Sequence, residues 1–173
     1  MATPDFVLEL RRHVGHAPLW MPGTTVVIAR PAPGCAPIDW EQPIAPEAVE
    51  ILCVRRSDNG TWTPVTGIVD PGEEPAVAAA REALEETDVR IEVRRLLSVE
   101  VVGPVTYDNG DVTTYLDVAF AAQWVSGDPT PADGENSETA FFRGDQLPPM
   151  NDRFRRAVAK ALSARPEADF LTA

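Results

Sequence analysis

Basic charge, cysteine and long apolar runs are all scarce in this chain. Fifteen Lys and Arg stand against 27 Asp and Glu, for a formal charge of −12 and a pI near 4.5. Phosphate backbones and anionic membrane surfaces are normally met by Lys and Arg, so neither nucleic acid nor membrane is an expected partner. An anionic small molecule is compatible with this charge only if a cation screens the acids. The two cysteines are Cys35, in a proline-rich stretch, and Cys53, in the apolar run Ile51-Leu52-Cys53-Val54, where it reads as a small buried hydrophobe. His13 and His16 have H-x-x-H spacing, but no cysteine cluster or third histidine completes a tetrahedral zinc site. Apolar stretches such as Val26-Val27-Ile28-Ala29 are far too short to span a bilayer. Met1-Ala2-Thr3-Pro4-Asp5 lacks the basic start and apolar run of a signal peptide. The expected location is the cytoplasm.

At 173 residues and 44% apolar content, the chain is expected to fold as one domain, 1–173, without covalent staples. Thr3 followed by Pro4 reads as an N-cap with proline in the first helical position, and Gly15 as a stop, giving a helix over about 4–14. Thr24–Arg30 and Glu50–Arg56 are β-branched runs, and Ser57-Asp58-Asn59-Gly60 turns the second into Thr61–Thr66. Residues 31–46 hold five prolines and form an inserted loop, either a passive excursion or a lid or subunit contact carrying Trp40. Arg90–Val102 alternates as a long strand, Tyr107-Asp108-Asn109-Gly110 turns it back, and Thr113–Trp124 is another long strand. Ser126–Ser137 is loop, Thr139–Arg143 a short strand, and Asn151 caps a last helix reaching about residue 163. Residues 165–173 read as a loose tail. Strands in runs of two with a helix between them predict a mixed sheet between helices.

The run Gly67 to Val89, GIVDPGEEPAVAAAREALEETDV, is where the acids acquire a spacing. Asp70-Pro71-Gly72-Glu73 fits a type II turn, and Ala, Leu, Glu and Arg from Val77 to Thr87 favour a helix starting near Pro75. At roughly 100° per residue, Glu82, Glu85 and Glu86 share one arc, while Val77, Ala80 and Leu84 gather opposite. That predicts an apolar core face and a carboxylate face, with Ala78 and Ala79 beside the acids leaving room for a ligand. Like charges at i,i+3 and i,i+4, close to the negative end of the helix dipole, are unfavourable unless something positive offsets them. A hard divalent cation with oxygen ligands would do so. Arg81 can pair with Glu85, or reach back to Glu73 and pin the loop to the helix.

This run resembles the Nudix box, G-x5-E-x7-R-E-U-x-E-E-x-G-U with U a bulky apolar residue. Every charged position of the pattern is filled, by Glu73, Arg81, Glu82, Glu85 and Glu86. Ala83 is small where a bulkier residue is usual, and Asp88 stands for the last glycine. The resemblance implies an α+β fold of the α/β/α sandwich type with a mixed central sheet. It also implies Mg²⁺, with Mn²⁺ as a possible substitute, and hydrolysis of a nucleoside diphosphate linked to another group by water attack on phosphorus. A catalytically silent domain that binds or senses a nucleotide is the alternative. By the same resemblance Glu82, Glu85 and Glu86, with the carbonyl of Thr66, hold metal. Arg81 and Glu73 orient the loop and helix, and Glu82 or Glu135 takes the proton, Glu135 opening a segment similar to the family's later E-S-x-E element. In the family a proline beyond the box goes with ADP-ribose cleavage and a tyrosine further on with dinucleoside polyphosphates; this chain has both Pro104 and Tyr107, which also read as ordinary hairpin residues. Trp20, Trp40, Tyr107 and Phe141 are candidates for stacking on the base. Relatives that pair through N-terminal segments imply a homodimer, in which the amphipathic first helix and Leu19-Trp20-Met21 cover the neighbour's site; the alternative is that residues 4–22 pack on their own sheet.

Overall fold

The computed structural model describes residues 3–170 and 172. Met1 and Ala2, which open the stretch read for a signal peptide, and Leu171 and Ala173 of the expected tail lie outside the described residues. Strand β1 (Leu19–Pro31) is the spine of one mixed sheet of eight strands. Along one edge it pairs in parallel with β6 (Val112–Ser126), from Leu19 opposite Thr113 to Ala29 opposite Gln123. Its other edge is shared. β4 (Val65–Ile68) takes Gly23–Val26 and β2 (Val49–Arg56) takes Ala29–Pro31, both antiparallel. A strand paired on both edges and covered on both faces should read as an unbroken apolar run, and Val26-Val27-Ile28-Ala29 is fully buried.

The order continues as β3 (Trp62–Thr63), β2, β1, β6, β5 (Arg90–Thr106) and β8 (Asp169–Phe170), with β7 (Asn136–Arg143) on the far edge of β2. Alternation along β1 divides the core in two. Val27 and Ala29 join Ile51, Cys53, Ala119 and Ala121 beneath helix α3 (Asp152–Leu162), which contributes Phe154, Ala157, Val158 and Ala161. Val26 and Ile28 join Leu52, Val54, Phe120 and Ala122 beneath helix α2 (Pro75–Thr87), which contributes Ala79 and Ala83. The result is the expected sheet between helices. Burial pushes the Cys53 thiol up to about 12, consistent with an inert core side chain.

Several expectations are corrected. Helix α1 spans Asp5–Val14, but Pro4, not Thr3, occupies the N-cap position and no side chain caps it. Four strands run longer than their sequence signals, because pairing extends past the β-branched centres, whereas the expected strand Thr61–Thr66 divides into β3 on β2 and β4 on β1. The proline-rich loop is tied to the body of the fold: Ile38, Trp40 and Ile44 pack on the α3-side core, and Trp40 Nε1 donates to Gln123 Oε1 at 3.1 Å. The tail is anchored as well. Asp169 and Phe170 pair in parallel with Ser98 and Val99, and Lys160 Nζ meets Asp169 Oδ1 at 2.8 Å.

Helix α2 ends at Asp88 in the left-handed conformation (φ 56, ψ 27), with its N–H bonded to Leu84 O. A non-glycine residue pays roughly 1 kcal/mol for that conformation. Asp88→Gly should therefore leave stability unchanged or raise it by up to about 1 kcal/mol in urea unfolding; a clear loss would show that the carboxylate contributes a bond of its own.

Candidate active site

The inward face of α2 is not the one that hydrophobicity selects. Ala78, Ala79, Glu82, Ala83, Glu86 and Thr87 are buried, whereas Val77 is 57% exposed and Ala80 and Leu84 are only partly covered. Of the three acids expected on an outward carboxylate face, Glu82 and Glu86 are instead turned inward, while Glu85 stays half exposed. Ala79 and Ala83 explain how this is possible, since small side chains let the helix approach β1, β4 and β5 closely. The expectation that Ala78 and Ala79 leave room for a ligand is corrected accordingly, as both are fully buried.

Closeness has a second requirement, at Gly67. A Cβ built on that residue would stand 2.1 Å from Glu82 Cδ, so only glycine lets β4 pass this carboxylate. Arg81 then ties three segments together. Its guanidinium meets Glu73 Oε1 at 3.0 Å and Oε2 at 2.9 Å in the preceding loop, Ile68 O at 3.0 Å on β4, and Glu82 Oε1 at 3.0 Å and Glu85 Oε2 at 2.9 Å on its own helix. Both arrangements considered for Arg81 thus occur together. Bonding to Arg81 holds Glu73 below the usual carboxylate range, and the Glu73 bond raises Arg81 above its own.

Glu82 and Glu86 are 2% and 4% exposed. Burial lifts Glu82 to about 7, against the lowering influence of Arg81, and lifts Glu86 to about 8, with Glu82 itself adding to the rise. Glu85 is about half exposed and turned towards Arg81. Among the described residues, no group of three or more His, Cys, Asp or Glu side chains could by itself hold a metal ion. What the helix does offer is a pair of buried carboxylates in need of positive charge. That donor set fits a hard cation whose remaining ligands are water and phosphate oxygen.

Thr66 lies on β4 opposite Thr25, and its peptide to Gly67 borders Glu82. Glu135 sits at the end of the loop before β7, where its carbonyl accepts from Ser57 N–H. Its neighbour Asn136, which sequence reasoning passed over, reaches the acids: Nδ2 donates to Glu86 Oε2 at 2.9 Å. The signal available for it was its place inside the segment resembling E-S-x-E. Tyr107 and Pro104 occupy the exposed β5–β6 hairpin, and the Tyr107 hydroxyl bonds that of Tyr115 at 2.6 Å. Trp20 is 59% exposed on the rim of an open, mainly apolar groove of about 800 Å³ between α1 and the Asp70–Glu73 loop. Phe141 is partly buried: it packs on the α2-side core with the Arg30 guanidinium 3.7 Å from its ring centre.

Residues 43–162 match the family model described as the NUDIX domain. The chain belongs to the Nudix family. The NAD-capped RNA hydrolase NudC of Deinococcus radiodurans is 31% identical over 129 residues, covering 71% of this chain and 43% of that protein. The chain spans between 32% and 44% of the length of the curated relatives it matches. A UDP-X diphosphatase shares the fold with TM-score 0.58 and 18% identity, over 91% of this chain and 70% of that one. An ADP-ribose pyrophosphatase from Streptococcus suis does so with TM-score 0.54 and 20% identity, over 82% and 89%.

Two outcomes are expected from this geometry. Carboxylates whose pKa is raised on folding stabilise the protonated folded state, so their contribution is full below about 4.5 and lost as pH rises through about 7 to 8. Metal-free protein should lose melting temperature across that window, and Glu86→Gln should flatten the loss; an unchanged slope would place Glu86 outside the effect. Gly67→Ala should cost roughly 1–3 kcal/mol by overcrowding Glu82, and Glu82→Ala in the same chain should restore most of it. Equal costs with and without Glu82 would mean that the clash lies elsewhere.

Proposed function

We propose that the chain is a divalent-metal-dependent pyrophosphohydrolase, acting on a nucleoside diphosphate linked to a second group, such as a nucleotide sugar or ADP-ribose, or on a (d)NTP. The observation that carries this reading is the burial of Glu82 and Glu86 side by side on a helix that Arg81 locks to the Glu73 loop. Glu82 and Glu86, with Glu85 and the Thr66 carbonyl at the margin, would hold Mg²⁺ or Mn²⁺, which when bound supplies neutralisation of diphosphate charge and an acidified water. The chain's own residues do the rest. Arg81 fixes the acids, Gly67 gives Glu82 its place, and Glu82 is the first candidate to accept the proton of the attacking water. Glu135, at the neighbouring loop, is the second candidate for that proton.

Support comes from the family match and from the activities named for the relatives, each directed at a diphosphate-containing compound. A silent, nucleotide-sensing domain is disfavoured because every charged position of the box is present. No helix among the described residues is long and apolar enough to cross a membrane; with the acidic charge, this supports a cytoplasmic enzyme acting on small molecules. A homodimer through α1 and the Leu19-Trp20-Met21 segment is part of the proposal, supported by exposed Leu8, Leu10, Val14 and Trp20.

ADP-ribose, nucleotide sugars, dinucleoside polyphosphates and (d)NTPs, assayed with Mg²⁺ or Mn²⁺ by product detection, should identify one hydrolysed class; inactivity on all of them would favour the silent alternative. On that substrate Glu85→Gln and Glu86→Gln should each lower turnover at least about 10²-fold, the scale of lost electrostatic stabilisation. Near-normal rates in both would remove the acids from the chemistry. Light scattering should give twice 18.8 kDa, and a monomer at working concentration would refute the pairing.

A further inference from the structure

Glu86 has a different kind of partner from the other acids of α2. Glu82 and Glu85 bond to the Arg81 guanidinium, a full positive charge, whereas Glu86 accepts from the neutral amide of Asn136. Both members of this pair are about 95% buried, so the bond is shielded from water. A glutamate has three rotatable bonds, and holding one in a single arrangement costs entropy that a fixed donor offsets.

Asn136 is itself fixed from three directions. It begins β7 and pairs with Arg56 where the β2–β7 register shifts. The loop leading to it is clamped to the last turn of α2, with Thr130 N–H donating to Thr87 O and Ala132 N–H to Glu86 O. Those carbonyls are among the ones a helix terminus leaves without intrahelical partners. Gly127 passes so close to Asp88 that a Cβ there would stand 2.3 Å from Asp88 O. The same loop therefore caps the helix end and delivers the amide to its last inward carboxylate.

We propose that Asn136 is a positioning residue for metal binding, holding Glu86 Oε2 so that the carboxylate keeps one orientation for a divalent cation. A neutral donor suits this role because it orients an acid without cancelling it, as an arginine would. The inference rests on the reading above that Glu86 faces the metal. A partner of this kind acts through the ligand, and its loss typically weakens metal affinity by about 10- to 100-fold.

Mn²⁺ binding followed by electron paramagnetic resonance tests this without reference to turnover. Wild type, Asn136→Ala, Glu86→Gln and the double variant form a cycle, with circular dichroism confirming the fold of each. Asn136→Ala should weaken Mn²⁺ binding at least about tenfold, and the double variant should bind no more weakly than Glu86→Gln alone. Wild-type affinity in Asn136→Ala, or losses that multiply in the double variant, would overturn the assignment, the second result marking Asn136 as structural support independent of Glu86. Should the alanine variant fail to fold, Asn136→Leu fills the space without a donor and must show the same weakening; wild-type affinity there overturns the proposal equally. Absence of Mn²⁺ binding by the wild type would instead overturn the metal reading of the site, and this inference with it.

Discussion

The site depends on a single guanidinium. Arg81 stands between three carboxylates and a backbone carbonyl, and through them it joins the Asp70–Glu73 loop, strand β4 and helix α2. Without it, Glu73, Glu82 and Glu85 would repel one another across a few ångströms of poorly solvated space. Arginine is suited to the task because its planar fork satisfies several oxygens at fixed angles, which an ammonium cannot do. Of the fifteen Lys and Arg residues all but Lys160 are arginines, and much of the chain's tertiary polar bonding uses that fork. Arg95 gathers the carbonyls of Lys160, Ala161, Ser163 and Arg165 at the end of α3, and Arg11 joins α1 to Val112 O and Thr113.

Arg81 also changes how the acidic helix should be understood. Viewed alone, α2 carries its charge on the wrong side, with glutamates under the helix and valine on top. Viewed with β4 and the β6–β7 loop, the inward side is a compartment whose walls are glycine, alanine and an amide. Burial lifts the two carboxylates there towards neutrality, where ordinary surface acids are already ionised.

Much of this was legible in the sequence. Box spacing identified the charged residues that Arg81 assembles, and β-branched runs with Asn-Gly turns located the central strands. The facing of α2 was not legible, because periodicity fixes angles between residues but not which side the sheet takes; with alanines at the contact, hydrophobicity pointed to Val77 and Leu84 instead. The packing of Trp40 was not legible, because prolines mark residues 31–46 as an inserted loop, passive or a lid or subunit contact, without showing what it packs on, and the Gln123 partner is 83 residues away. The tail was read as loose because a two-residue parallel pairing has almost no local signature. Asn136 was overlooked for a related reason: an amide beside candidate acids announces nothing until the fold shows which acid it touches.

The anchoring of the tail has a practical corollary. Lys160 is the chain's one lysine, only 6% exposed and held against Asp169. Amine-directed reagents therefore find no freely accessible lysine side chain among the described residues. A fluorophore or cross-linker reacts only with the deprotonated Lys160 amine, which has first to part from Asp169, so the rate of labelling at Lys160 would report how often the last strand lifts from the sheet.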